Sequence, residues 1–172
     1  MDDGASASSA DASRDERPNA GARVRLRDFS RSLPMALLRT REAVMRHFRP
    51  SLRRFDLTEQ QWRVLRALSA VAEIEVARLA DATFLLAPSL SRILEDLDRR
   101  GLIRRRVSET DRRFGLVSLT EAGHGFIEAV GVHSESIYRE LTARVGEARL
   151  AELMSLLREV EAIAGEIGRA HV

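Results

Sequence analysis

The 172-residue chain contains no cysteine, which removes disulfides, thiolate zinc sites and thiol-based redox switches from consideration. Lysine is absent too: all 28 basic residues are arginine, so their distribution carries more information than their identity. Arginine keeps a planar fork that donates two hydrogen bonds at once to a phosphate or a guanine edge. Aromatic residues are few, with one Trp, one Tyr and six Phe, whereas Leu, Ala, Val and Ile are abundant. That balance favours helices packed through aliphatic side chains over a sheet-rich fold. No stretch approaches the roughly 18 apolar residues of a membrane helix, and the amino terminus lacks an apolar export core. A cytoplasmic protein without a membrane partner is expected. Missing as well are a glycine-rich phosphate loop, a His-Glu-x-x-His pair and a nucleophile elbow, while His47, His124, His133 and His171 are scattered. No catalytic residue, metal site or cofactor is expected, and the chain is not read as an enzyme.

The net charge is only +2, yet residues 99–113 carry seven arginines against two acids. Positive charge is concentrated locally, as phosphate binding requires. Residues 1–27, rich in Ala, Ser, Asp and Arg with hardly any large apolar side chain, cannot repay the entropy of ordering and read as a disordered tail. From Arg31 to Arg54, Leu33, Leu37, Val44, Phe48 and Leu52 recur near helical spacing, with Pro34 tolerated in the first turn and Pro50 expected to bend or interrupt the helix near its end. Thr58-Glu-Gln-Gln61 has capping-box spacing and opens a second helix containing Trp62, Leu65 and Leu68. A short helix through Val76, Leu79 and Ala80 is followed by a link and by a helix starting at Pro88, which Gly101 terminates. These two form a helix-turn-helix pair. Segments 102–107 and 114–119 are strand-like and joined by Ser108-Glu-Thr-Asp111, giving a β-hairpin with arginine at its tip. Thr120 caps the next segment, where apolar periodicity predicts two further amphipathic helices. The expected fold is mainly α with a small β-hairpin wing: a winged helix-turn-helix plus N- and C-terminal helices.

In such a pair the second helix enters the major groove and its first residues meet the base edges. Those residues are Ser89, Ser91 and Arg92, with Arg92 assigned to a base and the serines to phosphate or base. At the hairpin tip, Asp111 is positioned to orient a neighbouring guanidinium, leaving Arg113 for the minor groove and Arg112 for phosphate. Arg104, Arg105 and Arg106 alternate across a strand and cannot all face one way.

The run Asp111-Arg-Arg-Phe-Gly-Leu-Val-Ser-Leu-Thr-Glu-Ala-Gly123 resembles the wing signature of the MarR family of winged-helix repressors. Leu57-Thr-x-x-Gln-Trp-x-Val-Leu65 resembles its second-helix signature, and Leu90-Ser-Arg-Ile-Leu-Glu-Asp-Leu-Asp-Arg-Arg-Gly101 joins the two. The stretch Ser32–Met45, together with His-Phe-Arg-Pro50, is similar to the branch of homoprotocatechuate operon regulators. Ala87 departs from the pattern, which commonly has a polar or basic residue before the proline. The resemblance implies a MarR-like domain over residues 28–172, with a winged helix at about 57–120 and dimerisation helices at about 30–54 and 121–168. It further implies a homodimer on a pseudo-palindromic operator in double-stranded DNA, acting as a repressor of an aromatic-acid catabolic operon. The aliphatic surface of the last two helices exceeds what a small winged helix covers alone, which agrees with a dimer. The competing reading is a winged-helix architectural or protein-interaction module without small-molecule sensing.

Family members of this kind bind a small aromatic acid, such as a hydroxyphenylacetate, hydroxycinnamate or hydroxynicotinate, between the dimer helices and the DNA-binding lobe. Such a site needs an apolar slot and one or two cations. The first helix offers Ser32, Arg39 and Arg46 at seven-residue spacing. Arg39 or Arg46 is expected to pair the carboxylate and His47 or Ser32 to bond a ring hydroxyl, with Trp62 and Met35 forming the slot.

Overall fold

The computed structural model describes residues 28–107 and 115–169. The chain separates into two compact units, Met1–Leu38 and Arg39–Val172. In the first unit, a 3-10 turn at Phe29–Arg31 leads into the opening of helix α1, Leu33–Arg54, whose later turns belong to the second unit. The carbonyl of Ser32 accepts from the Ala36 N–H at 3.0 Å, and Pro34 lies where the helix has no amide partner to lose.

Within the second unit, α1 runs through Pro50 to Arg54 without interruption. The turn after the proline is held by burial, since Ser51 and Leu52 are both packed inside. Helix α2, Glu59–Leu68, begins with the predicted capping box: the Gln61 N–H donates to Thr58 Oγ1 at 3.1 Å and the Thr58 N–H donates back to Gln61 Oε1 at 2.8 Å. Strand β1, Ile74–Glu75, precedes α3, Val76–Thr83, and α4, Ala87–Arg99. Strands β2, Ile103–Val107, and β3, Gly115–Leu119, pair antiparallel from Ile103↔Leu119 to Val107↔Gly115. Strand β1 adds to the free edge of β3 through Ile74↔Val117, giving a three-stranded sheet in the order β1-β3-β2. The hairpin was expected; this third strand was not. Helix α5, Glu121–Val145, starts at the predicted Thr120 cap, whose Oγ1 accepts from the Gly123 N–H at 3.0 Å, and α6, Glu147–Arg169, follows.

The core is aliphatic. Leu52, Val64, Leu65, Leu68, Leu79, Leu90, Leu94, Leu97 and Val117 are all but sealed from solvent and form one cluster with Ile127 and Val130 of α5. Each such side chain contributes roughly 1.5–3 kcal/mol of burial free energy, enough to fix the tilt of α4 against α2 and α3. Helix α6 differs, because none of its described side chains is buried. Leu153, Met154, Leu156, Val160 and Ile163 remain open to solvent. No helix among the described residues is long and apolar enough to cross a membrane.

Candidate nucleic-acid interface and effector pocket

Helices α3 and α4 meet at a tight corner. Phe84 closes α3 in the left-handed region at φ 52°, ψ 43°, and its N–H bonds back to the carbonyls of Ala80 and Asp81. Thr83 is buried beneath it with Oγ1 donating to Leu79 O at 2.6 Å, and Leu85 N–H reaches Ala80 O at 3.1 Å. The corner therefore aims α4 through backbone bonds and one buried hydroxyl. Leu90, Leu94 and Leu97 turn inward, so Ser89, Ser91 and Arg92 are left on the outer side, all three exposed. Arg92 has no ion pair among the described residues, and its two-donor fork is open to a base edge.

The arginine-rich segment divides by partner. Arg99 pairs with Asp96 on its own helix. Arg100 is structural: its guanidinium donates to Asp56 O at 2.9 Å and Phe55 O at 3.2 Å, tying the end of α1, and lies 5.4 Å from the Phe126 ring. Arg106 spans the sheet from β2 to Glu73, just before β1, in a forked pair at 2.8 and 2.6 Å. Arg104 and Arg105 are exposed and point to opposite faces of β2. Asp111, Arg112 and Arg113, expected at the hairpin tip, lie outside the described residues.

A cavity of about 430 Å³ opens beside this corner. Its apolar lining comes from Met45 of α1, Trp62 of α2, Phe84 at the helix-turn-helix corner and Tyr138 of α5. Three arginines face it: Arg41, Arg63 and Arg66. Arg41 is committed to Glu42 at 2.7 Å and to Glu59, which Arg49 also holds at 2.5 Å while reaching Glu42 at 2.5 Å. Burial pushes the Glu59 carboxyl upward, but the hydrogen bonds from Arg49 and Arg41 outweigh it and hold the group below its ordinary value. Glu42 is lowered too, chiefly by its bond from Arg49, and Arg49 is raised in turn by Glu42 and Glu59. Arg63 donates to Thr83 O at 2.8 Å, a neutral partner. Arg66 sits 5.9 Å from the Trp62 ring centre and has no ion pair among the described residues.

Of the residues predicted for an effector site, the structure brings only Trp62 into this cavity. His47 lines a smaller one of about 250 Å³ with Phe48, Ile137 and Arg144. Arg39 and Arg46 are exposed on α1 and belong to neither lining. Ser32 and Met35 lie in the amino-terminal unit. Glu59, Arg63 and Arg66 escaped the sequence reading although they flank Trp62 at i−3, i+1 and i+4 on one helix, a stripe that spacing alone could have offered.

A helix-turn-helix whose second helix is followed directly by an arginine-bearing hairpin defines a winged-helix DNA-binding protein. The MarR family profile matches residues 55–113. The homoprotocatechuate degradative operon repressor of Escherichia coli is 37% identical over 132 residues, covering 77% of this chain and 89% of that protein. The chain belongs to the MarR family, whose members are DNA-binding transcriptional regulators and not enzymes. Among solved structures, transcriptional regulator PA4135 is 42% identical with a TM-score of 0.74, over 77% of this chain and 97% of that one. NadR in complex with 4-hydroxyphenylacetate is 31% identical with a TM-score of 0.71, over 79% and 96%.

Proposed function

We propose that this protein is a homodimeric repressor that binds a pseudo-palindromic operator and is released by a small aromatic carboxylate, the inducer of the catabolic operon it controls. The observation that carries this reading is the wall of the 430 Å³ cavity: it includes Phe84, the corner residue of the helix-turn-helix, and Arg63, whose guanidinium holds the Thr83 carbonyl beside it. A ligand filling that space leans on the element that aims α4. An operon repressor among the relatives and a relative holding 4-hydroxyphenylacetate both support it.

The chemistry of the lining suits the ligand. Trp62 and Met45 offer an apolar slot, and the charge on Arg66 has no carboxylate partner among the described residues, so an incoming carboxylate meets a cation without displacing an internal one. Tyr138 and Glu135 supply a hydroxyl and a carboxylate for a ring hydroxyl. DNA is read by Ser89, Ser91 and Arg92 in the major groove, with Asp111, Arg112 and Arg113 at the wing tip. The exposed aliphatic face of α6 is covered by the second subunit. An effector that prefers the dimer with misplaced α4 helices by about 1.4 kcal/mol weakens operator binding tenfold.

Titration calorimetry with 4-hydroxyphenylacetate, 4-hydroxycinnamate and 6-hydroxynicotinate tests the site. At least one binds, Arg66→Gln weakens it by about tenfold or more through loss of a charge-assisted bond, and Arg39→Ala and Arg46→Ala leave it within twofold. The reverse pattern assigns the carboxylate to α1. Absence of any heat or thermal shift across hydroxylated aromatic acids favours a winged-helix module that does not sense small molecules.

A further inference from the structure

The leading edge of α4 has a feature that DNA-backbone binding does not use. Leu86 is the N-cap of the helix, extended at φ −67°, ψ 142°, and supplies no capping hydrogen bond. At that position Ser, Thr, Asp or Asn satisfies an orphan N–H, and leucine forfeits the gain. Nor is it recompensed by packing, since the side chain is 78% exposed and does not line the neighbouring cavity, whose wall includes Phe84. Ala87 and Pro88, the next two residues, are exposed as well. The backbone beneath them is firm: Leu86 O accepts the first helical bond from Leu90 N–H at 3.0 Å, and Leu90 is fully buried. The recognition helix thus opens with a rigidly held apolar patch, immediately ahead of Ser89, Ser91 and Arg92.

We infer that Leu86 and Ala87 read thymine 5-methyl groups in the major groove, so that each half-site is specified by apolar contact at a thymine as well as by hydrogen bonds from Arg92. The methyl is the apolar mark that base edges display in that groove. The residues that begin a recognition helix are the ones that reach it. Ala87, exposed beside Leu86, supplies a second, smaller apolar contact. The inference rests on α4 being the reading helix.

The test uses the full chain and operator DNA selected from a random duplex pool. Each thymine of the selected site is then replaced by deoxyuridine, which removes the methyl alone. Loss of one buried methyl is expected to weaken binding about fourfold at one or two positions per half-site and to leave the others unchanged. Leu86→Ser should bind the thymine and uracil duplexes equally at such a position, and should unfold at a higher temperature because serine caps α4. If every uracil duplex binds like its parent, or if Leu86→Ser keeps the full discrimination, the methyl contact is refuted. A uniform loss on both duplexes in a stably folded Leu86→Ser refutes it too, by assigning the side chain to the backbone or to subunit packing. Failure of the selection to yield any preferred sequence overturns the underlying reading role of α4 instead.

Discussion

Gly123 and Gly125, two residues apart on α5, should respond to the same substitution with opposite signs. A Cβ built on Gly123 would stand 2.0 Å from the Leu102 carbonyl oxygen, 3.1 Å from its carbon and 3.2 Å from Leu119 Cδ2. The obstacle is backbone, and that backbone is employed: Leu102 O accepts from Thr120 N–H at 3.1 Å, while Thr120 Oγ1 donates to Gly101 O at 2.7 Å. Neither group can swing away without opening the joint between the end of α4, the root of the wing and the start of α5. Overpacking of this kind costs about 1–3 kcal/mol, with a backbone contact at the upper end. Breaking the Thr120–Leu102 bond adds about 1 kcal/mol, and the better helix propensity of alanine returns about 1 kcal/mol. Gly123→Ala is therefore expected to lose about 3 kcal/mol, lowering the thermal midpoint by roughly 6–12 °C for a chain of this size. Nothing lies within 4 Å of a Cβ at Gly125, so Gly125→Ala should gain up to about 1 kcal/mol from propensity alone. Circular dichroism melts at one fixed protein concentration measure both, the concentration mattering because assembly adds to apparent stability. A Gly123→Ala midpoint at or above the parent would refute the close approach.

Much of the scaffold was legible because helix ends carry their own chemistry. The Thr58–Gln61 box, the Thr120 cap and Gly101, which takes φ +69° after α4, each marked a boundary that local hydrogen bonding enforces. The Leu-Thr-Glu-Ala-Gly run ending at Gly123 was recognisable as a pattern, and its last residue proves to be demanded by the Leu102 carbonyl. Strand β1 was not legible, since two residues show no period and become a strand only by pairing with Val117 and Leu116. At Pro50 the expected interruption does not occur, its local preference being overridden by burial of Ser51 and Leu52, the two residues that follow it. The arginines show the same limit. Arg100 meets Phe55 and Asp56 across 45 and 44 positions of sequence, and Arg106 meets Glu73 across 33, so charge density alone could not separate tie from reader. Sequence spacing places candidate effector cations on α1, where arginines recur every seven residues, whereas the cavity proposed for that role draws its cations mainly from α2.

Further outcomes follow from the same contacts. Arg92→Ala is expected to weaken operator binding and relax base preference by about 1–3 kcal/mol of discrimination, whereas Arg112→Ala, assigned to phosphate, weakens all sequences alike and lowers the salt slope by about one. Fluorescence anisotropy at several salt concentrations separates the two, and unchanged binding in both would displace the reading head from α4 and the wing. The Glu59 network gives a pH dependence whose sign is fixed. Its carboxyl, 17% exposed at the side chain and bonded by Arg41 and Arg49, titrates below its ordinary value in the folded chain, so the unfolded chain binds its proton first as pH falls. Its contribution to stability is thus complete above the ordinary carboxylate value and disappears as pH drops through the lowered one. Glu59→Gln removes that contribution at every pH, and denaturant midpoints of parent and variant should differ at pH 7 and converge on the acid side. A gap that stays constant into the acid range would mean that the two arginines do not hold the carboxylate, and that Arg41 is as free as Arg66 to meet an incoming anion.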